Sequence, residues 1–204
     1  MDGMIELSVD RPRVVEPFEF TGSGVEYFRI WIVNLALSIA TLGIYSAWAK
    51  VRRTQYFYRH THVAGARFQY LGRPGAILKG RIVAAILFGT YTAAGQLSPF
   101  YGLAAFGVLA LVMPWLLARS FRFRLSNTSY RGIRFGFAGS TAGSYGVFLG
   151  LPLLTVLTLF VLGPFTHHRI KKYQIGQARF GQTSIAFLSR VSEFYIAYVA
   201  AGFL

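Results

Sequence analysis

Three long runs without a charged side chain constrain this sequence more than any other feature. The runs cover residues 30–49, 82–118 and 145–165. A helix of about 20 apolar residues is long enough to cross a bilayer core of roughly 30 Å. The chain is also 54% hydrophobic and only 14% charged, which is more apolar than an ordinary soluble domain. The runs therefore predict a mainly α-helical, polytopic membrane protein.

The first run carries the signals expected at membrane interfaces. Trp31 lies near its start and Trp48 near its end, and amphipathic rings suit both interfaces. Thr41-Leu42-Gly43 predicts a local break, after which residues 44–60 form an amphipathic interfacial helix. The sequence leaves open whether this run, and the run at 145–165, crosses the membrane or turns back.

Turn signals divide the rest of the chain. Gly95 to Pro99 interrupts the second run and predicts a helical hairpin. The predicted organisation is a flexible head at 1–17 and a membrane domain at 18–204, with spans at about 28–49, 79–96, 100–118, 144–165 and 185–204.

The distribution of carboxylates argues against catalysis. Of the seven Asp and Glu residues, only Glu193 follows residue 27. Paired carboxylates are needed for general acid–base catalysis and for binding hard metal ions. The chain has no cysteine, and the pairs His60/His62 and His167/His168 lack the three or four ligands of a metal site. We therefore expect no enzyme activity, no cofactor and no metal.

The basic residues are placed beside the apolar runs. The net charge is +14, and in a soluble protein that would indicate nucleic acid. Lys and Arg next to apolar spans instead hold loops on the cytoplasmic side and contact anionic headgroups. We expect lipid headgroups rather than nucleic acid as partners. The candidate headgroup-binding residues are Lys50, Arg52, Arg53, Arg122, Arg124, Arg169, Lys171 and Lys172.

A short motif recurs after three basic stems, KVRR at 50–53, RSFRFR at 119–124 and HHRIKK at 167–172. Residues 60–72 and 127–139 align without gaps and share T-x-x-x-G-x-R-F-x-[YF]-x-G. A shorter copy lies at 178–182, and Phe18-x-Phe20-x-Gly22 is similar to the end of a copy. Leu-Gly precedes the first and third stems, at Leu42-Gly43 and Leu162-Gly163. The sequence thus predicts an internal repeat.

The FxFxG elements of this motif are short and β-like. Strands with open edges are not stable in hydrocarbon, so we expect these elements at the membrane surface. They either pair in one small sheet or form separate interfacial loops.

The stretch TLGIYSAWAKVRRTQYFYRHTHVAGARFQYLG, residues 41–72, resembles the signature of the YjgN-like family of bacterial inner-membrane proteins, whose function is uncharacterised. NTSYRGIRFGFAGS is also similar to that family's repeat. His60 stands where the family often has Asn, and Ala47 where Pro is common. The resemblance implies a multi-pass protein of the bacterial inner membrane, and it implies no activity and no functional residues.

Three polar residues within apolar stretches are candidate intramembrane sites. Asn34 can hydrogen-bond to a neighbouring helix, and Arg190 and Glu193 have a spacing that allows an ion pair. Ionisable groups in a span often mark a transport pathway, whereas residues at an interface form only a local pair. The sequence therefore supports a transporter or pore component and, alternatively, a non-catalytic scaffold or anionic-lipid-binding protein. A homo-oligomer is compatible with either.

Overall fold

The structure is a computed structural model that describes residues 16–202. Nearly all of the predicted head at 1–17 lies outside the described residues. The described part is mainly helical and contains a seven-stranded sheet. The strands are β1 Phe18–Phe20, β2 Thr61–Val63, β3 Ala66–Tyr70, β4 Thr128–Tyr130, β5 Ile133–Phe137, β6 Ala178–Phe180 and β7 Thr183–Ser184. The helices are α1 Gly24–Ala40, α2 Ser46–His60, α3 Pro74–Leu97, α4 Pro99–Ser126, α5 Thr141–Tyr145, a π-helical segment Gly146–Gly150, α6 Leu151–Leu157, α7 Gly163–Gly176 and α8 Val191–Gly202.

The strands pair in chain order, each antiparallel to the next. Two-residue turns join β2 to β3 and β4 to β5. Both turn residues have positive φ, 46° and 71° at Ala64-Gly65 and 48° and 79° at Arg131-Gly132. This is the type I′ geometry, whose twist matches that of the flanking strands. Of the two alternatives for the FxFxG elements, the structure has the shared sheet.

Aromatic side chains on one face of the sheet join the hairpins. Phe68 lies opposite Tyr130 with ring centroids 5.0 Å apart, and Phe135 lies opposite Phe180 at 5.1 Å. Phe68 also stacks on Phe18 and Phe135, each at 6.4 Å. Cross-strand aromatic pairs contribute about 0.2–1 kcal/mol each, which short strands need because few backbone bonds hold them.

Every helical segment between strands leaves the sheet and returns to it. The Tyr56 hydroxyl near the end of α2 donates to the Ser23 carbonyl at the start of α1, over 2.8 Å. The Tyr173 hydroxyl in α7 donates to the Ser140 carbonyl before α5, also over 2.8 Å. Helices α3 and α4 form the predicted hairpin, with Ser98 between them and its hydroxyl accepting from the Phe100 N–H. The sheet therefore lies at one end of three helical hairpins.

The expected spans at 28–49 and 144–165 are not continuous helices. The first is divided at 41–45 between α1 and α2, and the second at 158–162 between α6 and α7. Each break is a Schellman motif. The Gly43 N–H donates to the Ser38 carbonyl and the Leu42 N–H to the Ile39 carbonyl.

The second break has the same pattern. The Phe160 N–H donates to Thr155 and the Leu159 N–H to Val156. Leu159 and Phe160, at φ 49° and 66°, are thus the counterparts of Leu42 and Gly43, at φ 50° and 89°. The proposed correspondence between Leu42-Gly43 and Leu162-Gly163 was wrong by three residues, because the backbone bonds and not the Leu-Gly pair define the break.

The third motif copy also has a different position from the predicted one. The Arg-Phe pair lies on the second strand of the first two hairpins, at Arg67-Phe68 and Arg134-Phe135. Arg179-Phe180 instead lies on β6, the first strand of its hairpin, and Gly181 at φ 58° begins the turn. The predicted alignment matched a pair of residues that is too short to be specific. The number of residues after the preceding helix instead shows that Arg179-Phe180 lies on the first strand.

The remaining helices also differ from the expected spans. Helices α3 and α4 are longer than expected because a charged residue does not end a helix. The expected helices at 79–96 and 100–118 extend to Pro74–Leu97 and Pro99–Ser126. In the expected span at 185–204, helix begins only at Val191. Among the described residues, α3 and α4 are the two helices that are long and apolar enough to cross a membrane.

The first break gives a test of the backbone account. Gly43 has φ 89° with open space around the position of a Cβ, whereas Gly80 in α3 has equally open space in helical conformation. Gly43→Ala is expected to lower the free energy of unfolding by about 1 kcal/mol through backbone strain, and Gly80→Ala to raise it by up to about 1 kcal/mol. Thermal unfolding in detergent micelles checks this. Equal effects of the two substitutions would contradict the assigned conformation.

Candidate functional site

A polar cleft lies between α1, α2 and α3. It has a volume of about 330 Å³ and opens to the surroundings. Its lining combines aromatic, small polar and basic side chains and contains no carboxylate. The lining residues are Tyr27, Trp31, Asn34, Leu35, Ser38, Ser46, Ala49, Lys50, Arg53 and Arg81.

Helical spacing places the basic residues of α2 in this cleft. Ser46, Lys50 and Arg53 follow one another at intervals of four and three residues, so they share one face of the helix. Arg81 comes from the facing helix α3, and its guanidinium donates to the Ser46 hydroxyl. The Ser46 hydroxyl in turn donates to the Gly43 carbonyl, which fixes the hydroxyl beside the break. Two helices thus bring three cations to one cleft.

Asn34 forms the inner wall of the cleft. Its side chain is 7% exposed, and its Oδ1 has no hydrogen-bond partner. The Ser38 hydroxyl one turn later donates to the Asn34 backbone carbonyl over 2.7 Å, so it leaves the amide free. Burying a polar group without a partner costs about 1–3 kcal/mol. This oxygen is itself buried, so a ligand in the cleft meets it only after a rotation of the amide.

The cations of the cleft are not neutralised by the protein. Within residues 16–202, the one contact under 4 Å between a carboxylate and a basic group joins Glu26 to His60, at 3.8 Å. Glu26 also accepts from the Tyr56 hydroxyl at 3.3 Å, on the side of α1 toward the sheet. Lys50, Arg53 and Arg81 therefore present uncompensated positive charge, which favours an anionic ligand.

The other candidate headgroup-binding residues lie outside this cleft. Arg52 lies over the Tyr45 ring at 5.7 Å, although it is the chain neighbour of Arg53. Arg124 and Arg169 lie over Phe121 and Phe165, at 5.7 and 5.2 Å. Arg122 donates to the Gly139 carbonyl over 3.5 Å, and Lys171 and Lys172 are exposed on α7. The structure thus brings together only Lys50 and Arg53 of the predicted set.

The candidate intramembrane pair does not form a side-chain ion pair. Arg190 precedes α8 and Glu193 lies in its first turn, and the contact between them is the Glu193 N–H donating to the Arg190 carbonyl. The Glu193 carboxylate at a helix N-terminus is favourably placed for the helix dipole. Asn34, the third candidate, lies 7% exposed in the cleft.

The histidines contact neighbouring groups of the fold. The His168 imidazole is buried with its Nε2 3.0 Å from the Ser189 carbonyl, and His167 Nδ1 is 3.2 Å from the Tyr198 hydroxyl. His60 Nδ1 is 2.8 Å from the Tyr56 carbonyl. Within residues 16–202, no three His, Cys, Asp or Glu side chains are grouped so that they could hold a metal ion.

Arg81 is the cation of the cleft that the sequence did not indicate as a binding residue. Its position directly before the run at 82–118 predicted only a snorkelling span end. The signal for its role is three-dimensional, since α3 packs against α2 only once the β2–β3 hairpin has reversed the chain.

A second cleft lies nearer the sheet, between α2 and β3. It measures about 420 Å³ and is lined by Gln55, Arg59, Arg67, Gln69, Tyr70 and Leu71. Gln55 donates from its side chain to the Tyr70 carbonyl over 3.4 Å. Burial raises the pKa of the Tyr70 hydroxyl above its usual value near 10, so this group stays neutral at physiological pH. The second cleft is thus also basic, but its polar side chains are partly used by the fold.

These features define a class: a mainly helical protein with a seven-stranded antiparallel sheet, two helices able to cross a membrane and a cationic cleft beside them. The chain belongs to the family described as bacterial protein of unknown function (DUF898), whose model matches residues 15–204.

Curated relatives agree with this assignment. The chain is 31% identical over 147 residues to the inner membrane protein YjgN of Salmonella typhimurium, covering 70% of this chain and 36% of that protein. It is 32% identical to the inner membrane protein YjgN of Escherichia coli K12, covering 69% and 35%. The chain thus spans about a third of the length of these relatives. No solved structure gives a significant match.

The predicted resemblance to the YjgN-like family is therefore confirmed. The names of the relatives support a location in the bacterial inner membrane.

The unpartnered amide gives a test of the cleft. Asn34→Leu replaces a buried amide by an apolar side chain of similar volume, so it removes the desolvation cost. In lipid-free detergent, this variant is expected to raise the free energy of unfolding by about 1 kcal/mol. Thermal unfolding followed by circular dichroism measures the change. A clear decrease would show that the amide has a partner that stabilises the fold.

Proposed function

We propose that this chain is a multi-pass protein of the bacterial inner membrane that binds anionic phospholipid headgroups and does not catalyse a reaction. The observation that carries the proposal is the separation of charge along the helical hairpins. The breaks at 41–45 and 158–162 and the α3–α4 turn contain no charged residue, whereas the sheet and the helical turns leading to it carry the Lys and Arg side chains. Such a distribution matches an apolar layer beside an anionic surface.

The lengths of the hairpins support different depths in the bilayer. At 1.5 Å per residue, α3 extends about 24 Å beyond Arg81, and α4 has about 30 Å before Arg119. The exposed side chains along them are apolar, with Phe88 65% and Leu103 71% exposed. With the long Arg81 side chain reaching back to the interface, this hairpin can cross a hydrocarbon layer of roughly 30 Å, and we propose that its turn lies on the far side.

In the other two helical hairpins, which end at 41–45 and 158–162, the uncharged part is much shorter. From Lys50 to Ile44 is about 9 Å, and from His167 to Leu162 about 8 Å. Their ends are nevertheless strongly apolar, since Leu42 is 96% and Leu159 85% exposed. We propose that both enter the near leaflet and turn back, so that two crossings and two re-entrant hairpins replace the first four of the five spans expected from the sequence.

The three hairpins share features that favour descent from one unit. Beyond the paired strands, the sheet continues through three equivalent backbone hydrogen bonds. The N–H groups of Thr21, Leu71 and Ala138 donate to the carbonyls of His60, Asn127 and Gln177, over 3.0, 2.7 and 2.8 Å. The second helix of each helical hairpin has a buried residue at an equivalent position. It is Ala47 in α2, Pro114 in α4 and Pro164 in α7. Five residues later, each of these helices has an arginine that lies over an aromatic ring. The three are Arg52, Arg119 and Arg169. We interpret these as three copies of an internal repeat.

Transport or pore formation is the second candidate function. Helices broken within the membrane, as at 41–45 and 158–162, are common in transporters. Under this alternative, Arg190→Gln or Glu193→Gln alters solute flux in reconstituted vesicles without preventing insertion. The exposed apolar faces of α3 and α4 also leave room for a homo-oligomer.

Headgroup selectivity tests the proposed function. The chain has three tryptophans, at 31, 48 and 115, each in a helix that contacts the membrane under the proposal. In vesicles, brominated phosphatidylglycerol is expected to quench their fluorescence with an apparent affinity at least about fivefold above that of brominated phosphatidylcholine, because one nearby cation alone contributes about 1 kcal/mol.

The salt dependence provides the control. The preference is expected to fall toward unity at about 1 M salt, where screening shortens the reach of the charges to about 3 Å. Equal quenching by the two lipids at low salt would contradict headgroup binding.

A further inference from the structure

We infer that the cleft between α1, α2 and α3 is a discrete site for one anionic phospholipid whose headgroup carries both a phosphate and a hydrogen-bond donor such as a free hydroxyl. This inference rests on the proposed function and deepens it. The basic stems as a whole attract any anionic surface, whereas this cleft groups three cations and a buried amide around about 330 Å³ of open space.

The phosphate is recognised by the three cations. Lys50 and Arg53 share one face of α2, and Arg81 faces them from α3. Arginine binds phosphate oxygens through several N–H donors, and lysine supplies a compact charge. The Ser46 hydroxyl holds the Arg81 guanidinium at the cleft, so the site is preorganised before ligand binding. No carboxylate lines the cleft, so no protein group competes for these cations.

The hydroxyl is recognised by Asn34. The residue is 7% exposed, and its buried Oδ1 lacks a donor. A fully ionised phosphate offers only acceptors to this oxygen, so the ligand must supply an O–H or N–H donor to satisfy it. A glycerol headgroup next to the phosphate has that chemistry, whereas a bare phosphate monoester and a quaternary ammonium headgroup do not.

The surroundings of the cleft favour a lipid over a soluble phosphate compound. Trp31 and Leu35 line it and are 44% and 39% exposed, and Ile32 beside them is 43% exposed. Acyl chains attached to the headgroup therefore have an apolar helix surface to lie on. The counterparts of Lys50 and Arg53 in α7 are His167 and Ile170, and there the Thr155 and Thr166 hydroxyls meet at 2.6 Å, so the third hairpin has no equivalent cationic site.

The site is tested by native mass spectrometry of the full chain in detergent, titrated with phosphatidylglycerol, phosphatidic acid or phosphatidylcholine. We expect one tightly bound phosphatidylglycerol. Arg53→Gln and Arg81→Gln should each lower its affinity about tenfold, whereas Arg52→Gln, which removes the same charge one residue away over Tyr45, should change it less than twofold. Asn34→Leu should abolish the preference for phosphatidylglycerol over phosphatidic acid and retain phosphate binding.

Each outcome separates the inference from the proposed function. Equal losses for Arg52→Gln, Arg53→Gln and Arg81→Gln, with selectivity for anionic lipid retained, would overturn the discrete site and leave the diffuse basic surface. Absence of any anionic preference would overturn both. Displacement of the bound lipid by millimolar glycerol phosphate would show a site for a soluble phosphate ester instead. Unchanged thermal unfolding of the three Arg variants in lipid-free detergent excludes misfolding as the cause of lost binding.

Discussion

Under the proposed membrane location, backbone hydrogen bonding in hydrocarbon is the constraint on which the rest of this structure depends. An unpaired N–H or C=O costs several kcal/mol there, so strands with open edges must stay outside. The seven short strands accordingly lie together at one end of the helices. At the other end, the breaks near Leu42 and Leu159 pair their amides with carbonyls of the preceding turn. Irregular backbone can therefore enter the apolar layer without leaving groups unsatisfied.

The same arrangement determines where charge can gather. Each helical hairpin begins and ends at the sheet. The basic stems of α2, α4 and α7 therefore lie at the sheet end of the structure, although three apolar hairpins separate them along the chain. If all five expected spans crossed the membrane, the basic segment at 166–183 would lie on the opposite side from those at 50–78 and 119–143, because one span separates it from the latter. Turning back at 41–45 and 158–162 removes that conflict, because His167 and Lys171 then lie on the same side as Arg52 and Arg122.

Sequence patterns predicted the parts of the fold that depend on local composition. The apolar runs indicated the helices, and Pro99 indicated the α3–α4 turn. The recurring FxFxG indicated short β-like elements but left open whether they pair in one sheet, as they do. The break at Leu159-Phe160 escaped prediction because no glycine occupies its positive φ values. The turn at Ala64-Gly65 was also missed, since its first position holds none of the Asn, Asp or Gly residues that usually signal type I′ geometry. The cleft required the packing of α3 on α2, which no local pattern contains.

The side of the membrane that each hairpin end reaches tests the central claim most directly. The chain has no cysteine, so Leu42→Cys, Ser98→Cys and Ala64→Cys each provide one thiol for an impermeant maleimide added to spheroplasts. Ser98→Cys is expected to react from outside, Ala64→Cys only after permeabilisation, and Leu42→Cys only after solubilisation in detergent. Labelling of Leu42→Cys from outside, as for Ser98→Cys, would mean that the first hairpin crosses the membrane, and would contradict the one-sided arrangement.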